Sequence, residues 1–232
     1  MKDAVTRRPE KSCKEVYREV LSDVIDELRD NHDREEIGTL VENFDSCRSA
    51  LQRQRARVRP PIPNTLAEIH LDGEWAKTKD GRDLLLFDNG SANRIIGFST
   101  AENMEILCEA SAIYMDGTFR VVPSLFLQLY TLHAFYRGQM MPLAYFLLAD
   151  KSQATYARMF ALLCSYATSR GLTPFQPPKF QLDYEIAAIA AIREAFPAAL
   201  IKGCNFHFTQ ALWRKVQRVG LASSYKDQAV RR

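Results

Sequence analysis

Cysteine is scarce and poorly placed for cross-linking: five residues, at positions 13, 47, 108, 164 and 204, odd in number and without a CxxC pair. A disulfide framework is thereby excluded, and the chain reads as a reduced, intracellular protein. Long apolar runs are missing as well. The two most apolar stretches, residues 121–136 and 140–149, are interrupted by Pro123, Gln128, His133 and Pro142, and the opening MKDAVTRRPEKS is polar. Neither a membrane span nor a signal peptide is expected. Ten glycines and ten prolines in 232 residues rule out fibrous and low-complexity architectures. What remains is ordinary for a globular protein: 47% apolar and 25% charged residues, enough to build a core in one full domain with a substantial extra segment.

The net charge of +3 hides an uneven distribution. Residues 1–60 balance, residues 61–200 are slightly acidic, and residues 201–232 hold seven basic side chains against one acid. That basic end (Lys202, Arg214, Lys215, Arg218, Lys226, Arg231, Arg232) and the run Arg53, Arg55, Arg57, Arg59 are the two groups suited to phosphates. On charge alone, a solvated helix face explains each equally well.

Periodicity divides the chain into three parts. Ser12 with Glu15, and Asp33 with Glu36, have capping-box spacing, each followed by apolar residues at helical intervals, so residues 1–59 read as a helical segment. Pro60, Pro61 and Pro63 close it. Residues 60–110 read as a linker with short strands at 84–87 and 94–98 and a helix capped by Ser99 with Glu102. Residues 111–232 give strands at 112–116, 126–136 and 140–149, with Arg137-Gly138 as a hairpin turn, then helix 153–170, strand 179–182, helix 185–196, strand 200–203 and helix 206–219. The order β-β-β-α-β-α-β-α predicts an α/β fold with a mixed sheet covered on both faces, in the manner of ribonuclease H.

Two acids stand at strand ends in that scheme. Asp116 closes the first core strand and Asp183 the fourth, and as parallel neighbours those strands would bring both carboxylates to one edge. Like charges so close need a cation, and hard oxygen ligands suit Mg²⁺ or Mn²⁺, the ions of phosphodiester chemistry. Each acid also has a plain structural explanation: Asp-Gly is a turn signal, and Asp183 sits where a helix N-cap belongs. Glu185 fits helix stabilisation in the first turn better than metal binding. Cys204 and His207 have ligand spacing, but CxxH is half of a zinc site, and a buried cysteine beside a hydrogen-bonded histidine explains it more simply. His133 reads as a core histidine, and Phe119, Phe126, Tyr130, Phe135, Tyr136 and Tyr145 as core aromatics.

Taken in order, Met115-Asp116-Gly117-Thr118-Phe119, Leu125 to Tyr130, Pro142 to Tyr145, Asp183-Tyr184-Glu185 and Gly203-Cys204-Asn205-Phe206-His207-Phe208 resemble the transposase domain of Mutator-like elements (MULE), closest to the animal branch that often carries a FLYWCH-type zinc finger. The likeness extends over roughly residues 50 to 220. It implies a DDE-type nuclease and strand-transfer domain acting on the double-stranded DNA of transposon ends, in the nucleus and possible as a homo-oligomer, with Asp116 and Asp183 as catalytic, metal-holding acids. Cys204 and His207 would then match the family's CxxH motif, which shapes the site or binds DNA ends, and Arg214, Lys215 and Arg218 would meet nucleic acid. The family's third acid, a glutamate, lies well downstream of CxxH, whereas residues 208–232 hold one acid, Asp227. The chain is therefore expected to be a fragment, inactive alone. The alternative is a domesticated, non-catalytic protein that binds DNA or a protein partner. A ribonuclease H-like exonuclease fits less well, because its first strand would carry DxE where this one has Asp116-Gly117-Thr118.

Overall fold

A computed structural model describes residues 1–8, 11–28, 36, 39, 41–90 and 92–224. They form two compact units, Met1–Pro63 and Asn64 onward.

The first unit holds α1 (Lys2–Arg7), α2 (Cys13–Leu28) and α3 (Phe44–Ala56). The first capping box forms as expected: the Ser12 amide donates to the Glu15 carboxylate at 2.6 Å, and the Glu15 amide donates to Ser12 Oγ at 3.1 Å. Asp33 of the second box lies outside the described residues. α3 is capped by Asn43, whose side-chain oxygen accepts from the Ser46 amide at 3.0 Å. Val5, Val16, Tyr17 and Leu51 form a small apolar core, with the Tyr17 and Phe44 rings edge to face at 5.5 Å.

The second unit is built on one seven-stranded sheet. Its strands are β1 (Leu85–Asp88), β2 (Ile95–Phe98), β3 (Ile113–Thr118), β4 (Gln128–Tyr136), β5 (Gln139–Leu148), β6 (Lys179–Leu182) and β7 (Leu200–Gly203), in the order β1-β2-β5-β4-β3-β6-β7. β3, β6 and β7 run parallel and the remaining neighbours antiparallel. α4 (Ala101–Glu109) precedes β3, α5 (Gln153–Ser169) and α6 (Ile186–Ala195) make the crossovers to β6 and β7, and α7 (Asn205–Arg218) follows. This is the mixed α/β sheet of the ribonuclease H-like arrangement, with β1 and β2 added at the β5 edge. Arg137 and Gly138 both take positive φ, +50° and +78°, the backbone a two-residue hairpin turn requires.

Alternation along β4 shows where the core lies. Gln128, Tyr130, Leu132 and Ala134 are buried, while Leu129, Thr131 and His133 between them are half-buried. The buried set joins Met104 and Leu107 of α4, Tyr156, Phe160 and Leu163 of α5, and Ala188 and Ile192 of α6 in one core, each large side chain contributing about 1.5–3 kcal/mol. The other face is less well covered than two packed layers would make it: Phe135 is 57% exposed, and α7 has no buried residue.

Two local expectations are corrected. Ser99 is not the cap of α4; its hydroxyl donates to the Leu143 carbonyl at 2.6 Å, and Thr100 caps instead, accepting from the Asn103 amide. Of the expected core aromatics, Phe119 is 55% exposed and Tyr136 and Phe135 are also exposed, since they lie at or beyond the strand ends.

Arg94 ties the segment before the sheet to the β1–β2 pair. It donates twice to Asp88, at 2.7 and 2.5 Å, and also to the carbonyls of Leu66 and Ile69. Both charges are largely buried, and losing one strands the other. Arg94→Ala is expected to cost about 3–5 kcal/mol, read as a lower urea midpoint; an unchanged midpoint would show that the pair carries no net weight.

Candidate functional site

β3 and β6 pair in parallel with Ile113 beside Phe180 and Tyr114 beside Gln181. The ladder ends there; continued two residues further, the same register would bring Asp116 of β3 opposite Asp183, which follows the last residue of β6. The pleat repeats every two residues, so Asp116 leaves the sheet on the face that carries Tyr114, while Asp183 stands just past the end of β6. Asp116 is exposed and Asp183 half-buried.

The turn reading does not describe Asp116, and Asp183 acts at the entry of the next helix without being its N-cap. β3 continues to Thr118, so Asp116-Gly117 lies inside a strand and makes no turn. α6 begins at Ile186, with Glu185 at the N-cap position. Asp183 stands before it and accepts the Glu185 amide on one carboxylate oxygen at 3.2 Å.

Behind the edge lies a buried polar group that sequence reading missed. Gln128 is fully buried and donates through Nε2 to the Tyr156 hydroxyl at 2.7 Å, which donates to Glu185 Oε2 at 2.9 Å. Burial raises the Glu185 carboxyl above its ordinary range; the Tyr156 hydrogen bond opposes this, and the like charge of Asp183 adds to it. The Tyr130 ring packs against Tyr156 at 5.1 Å, and the buried Tyr130 hydroxyl has no hydrogen-bond partner. Its ionisation is pushed well up, first by burial, then by Tyr156 and the charges of Asp183, Glu185 and Asp116. All three carboxylates thus act on one buried phenol. The available signals were a glutamine opening an apolar strand and a tyrosine in the first turns of α5.

Glycines set the close approaches. A Cβ at Gly117 would come within 2.9 Å of Gln128 Oε1 and 3.1 Å of the Tyr130 ring, so β3 lies flat on these residues only without a side chain there. At Gly203 a Cβ would fall 2.5 Å from the Tyr184 ring, which in turn lies 6.4 Å from Phe208.

Lys151, also missed, stands at the same edge. It opposes the rise in Glu185 ionisation, and its ammonium sits 5.9 Å from the centre of the Phe119 ring. His133 is half-buried beside Tyr114 on the open face, not in the core. Burial lowers its pKa, against the Tyr114 backbone and the Asp116 charge.

Cys204 is the N-cap position of α7 and its amide donates to the Leu182 carbonyl at 2.6 Å. With His207, Gln210, Trp213 and Val216 it forms the half-buried stripe of that helix. His207 Nδ1 is buried without a partner. Among the described residues no three His, Cys, Asp or Glu side chains group closely enough to hold a metal, so nothing completes a zinc set around Cys204 and His207, and Asp116, Asp183 and Glu185 do not converge as three ligands. Arg214, Lys215 and Arg218 are exposed on the same helix, about 15 to 21 Å along its axis from Cys204. Lys226, Asp227, Arg231 and Arg232 lie outside the described residues. No described helix is long and apolar enough to cross a membrane.

No curated protein matches the chain. Residues 112–211 match the family model of the MULE transposase domain, a span that takes in β3 to β7, α5, α6, half of α7 and both edge aspartates. Through that span the chain carries a MULE transposase domain.

Proposed function

We propose that the edge formed by β3 and β6 is a DDE-type nucleotidyl-transfer site acting on double-stranded transposon-end DNA, work that belongs in the nucleus. The observation that supports this reading is the parallel pairing of β3 with β6, whose register, carried on past Tyr114 and Gln181, leads to Asp116 and Asp183. The donor set suits a hard divalent cation: two carboxylates with room for substrate phosphate and water is how Mg²⁺ is commonly held, and a like-charged pair at an open edge is what a cation relieves. Asp116 and Asp183 would hold Mg²⁺ or Mn²⁺, and when bound the ion supplies Lewis acidity at a phosphodiester oxygen.

The remaining work falls to the chain's own residues. Tyr156 and Gln128 fix Glu185 beside Asp183, keeping a third negative group at the edge. Lys151 offers a cation for the phosphate next to the scissile bond. The exposed Arg214, Lys215 and Arg218 track the backbone further out, with a salt-dependent contribution to affinity. A full strand-transfer reaction asks for a third acid beyond CxxH, and we propose that residues 1–232 alone bind the cation and DNA but join strands little or not at all.

Manganese binding, followed by electron paramagnetic resonance of the purified chain, tests the site without relying on turnover. Asp116→Asn and Asp183→Asn are each expected to weaken binding at least roughly tenfold, as loss of one of two charged ligands should. Binding unchanged in both variants would falsify the assignment. Tyr156→Phe removes the bond to Glu185 and the acceptor for Gln128, and is expected to lower stability by about 1–3 kcal/mol in urea denaturation. A neutral result would mean that the buried chain does not hold Glu185.

A further inference from the structure

The first unit contains a cleft that the transposase reading does not use. It has a volume of about 710 Å³ and lies between α3 and the start of α2. Arg48, Gln52 and Arg55 recur at intervals of four and three along α3, so one helix face presents all three to the cleft, and Arg59, just past the helix end, also lines it. Lys14, in the first turn of α2, faces them, and Asp45 is the single acid in the lining.

Arg55 is what makes the cleft a binding site. The residue is only 8% exposed, yet its Nε and Nη2 are buried without any hydrogen-bond partner. A guanidinium keeps its charge at every relevant pH, and burying it unpaired is strongly unfavourable unless something arrives to accept its bonds. Arg55 lines the cleft, so the missing acceptor has a place to sit. The start of the sixteen-residue helix α2 adds the positive end of its dipole, although Ser12 already takes the Glu15 amide.

We infer that this cleft binds a phosphate group. The guanidinium fork takes two oxygens of a phosphate at once, and Arg48 and Lys14 can neutralise the remaining charge. The volume exceeds what a lone anion fills, and Pro60, Pro61 and Ile62 give one wall an apolar surface suited to the sugar that follows a phosphate in a polynucleotide. The occupant is therefore a phosphodiester of nucleic-acid backbone. Only the choice of DNA over free phosphate or nucleotide rests on the transposase reading; the site itself does not.

The test uses the full chain carrying Asp116→Asn, so that no cleavage intervenes. Arg48→Gln and Arg55→Gln are added separately, and three probes are compared: a short fluorescent duplex titrated across salt concentrations, inorganic phosphate, and a nucleoside monophosphate, the last two followed by thermal shift at constant ionic strength. Each substitution is expected to weaken duplex binding by roughly threefold to tenfold and to reduce the slope of log affinity against log salt by about one, while inorganic phosphate competes with the duplex. If the substitutions abolish the thermal shift by phosphate or nucleotide but leave duplex binding alone, the cleft holds a free phosphate compound and the phosphate assignment stands. If none of the probes responds to either substitution, the inference is overturned. Arg48 is exposed, so Arg48→Gln decides the matter should Arg55→Gln fail to fold by circular dichroism. Asp116→Asn compared with the native chain reports on the carboxylate edge alone, which keeps the two readings separable.

Discussion

The parallel pairing of β3 with β6 is the constraint on which the second unit turns. Four residues of β6 and six of β3 meet through only two registered pairs, yet those pairs determine which side chains share a face at the strand ends. A slip of one residue would send Asp116 to the opposite side of the sheet. Burial holds the register: Ile113, Met115, Phe180 and Leu182 all enter the core, and a slip would turn them out to water. The apolar half of each strand thereby aims its polar half.

The same economy explains why polar groups tolerate burial here. Gln128, Tyr130 and Tyr156 occupy positions that alternation assigns to the core, and they fill them as large side chains while keeping polar atoms beneath the carboxylate edge. Two of those atoms, Gln128 Oε1 and the Tyr130 hydroxyl, are left without partners. Unsatisfied groups of this kind are destabilising and concentrate where function constrains a fold.

Much of the architecture was legible because apolar runs in this chain are short and sharply bounded. β6 and β7 appear at 179–182 and 200–203, as Pro178, Asp183 and Cys204 bracket them in the sequence. The cap of α4 was misread by one residue, since Ser99 and Thr100 are equally good caps in isolation and only the distant Leu143 carbonyl distinguishes them. The exposure of Phe119, Phe135 and Tyr136 was hidden for a related reason: composition reveals that an aromatic ring is apolar, not that its strand has run past the helices that would cover it. Lys151, in the β5–α5 connection, and Tyr156, in the first turns of α5, reach the edge by a proximity that no local spacing encodes. Arg55 is a further case. It sits in a run of alternating arginines that looks uniformly solvated, and only helix geometry turns that one inward while Arg53 and Arg57 remain exposed.

Tyr184 packs close over Gly203, pairs with the Phe208 ring and follows directly after Asp183, while the Cys204 amide is bonded to the Leu182 carbonyl. The basic rod of α7 and the acidic rim are therefore coupled at a single joint. Any displacement of the start of α7 must therefore be taken up at the residue next to Asp183.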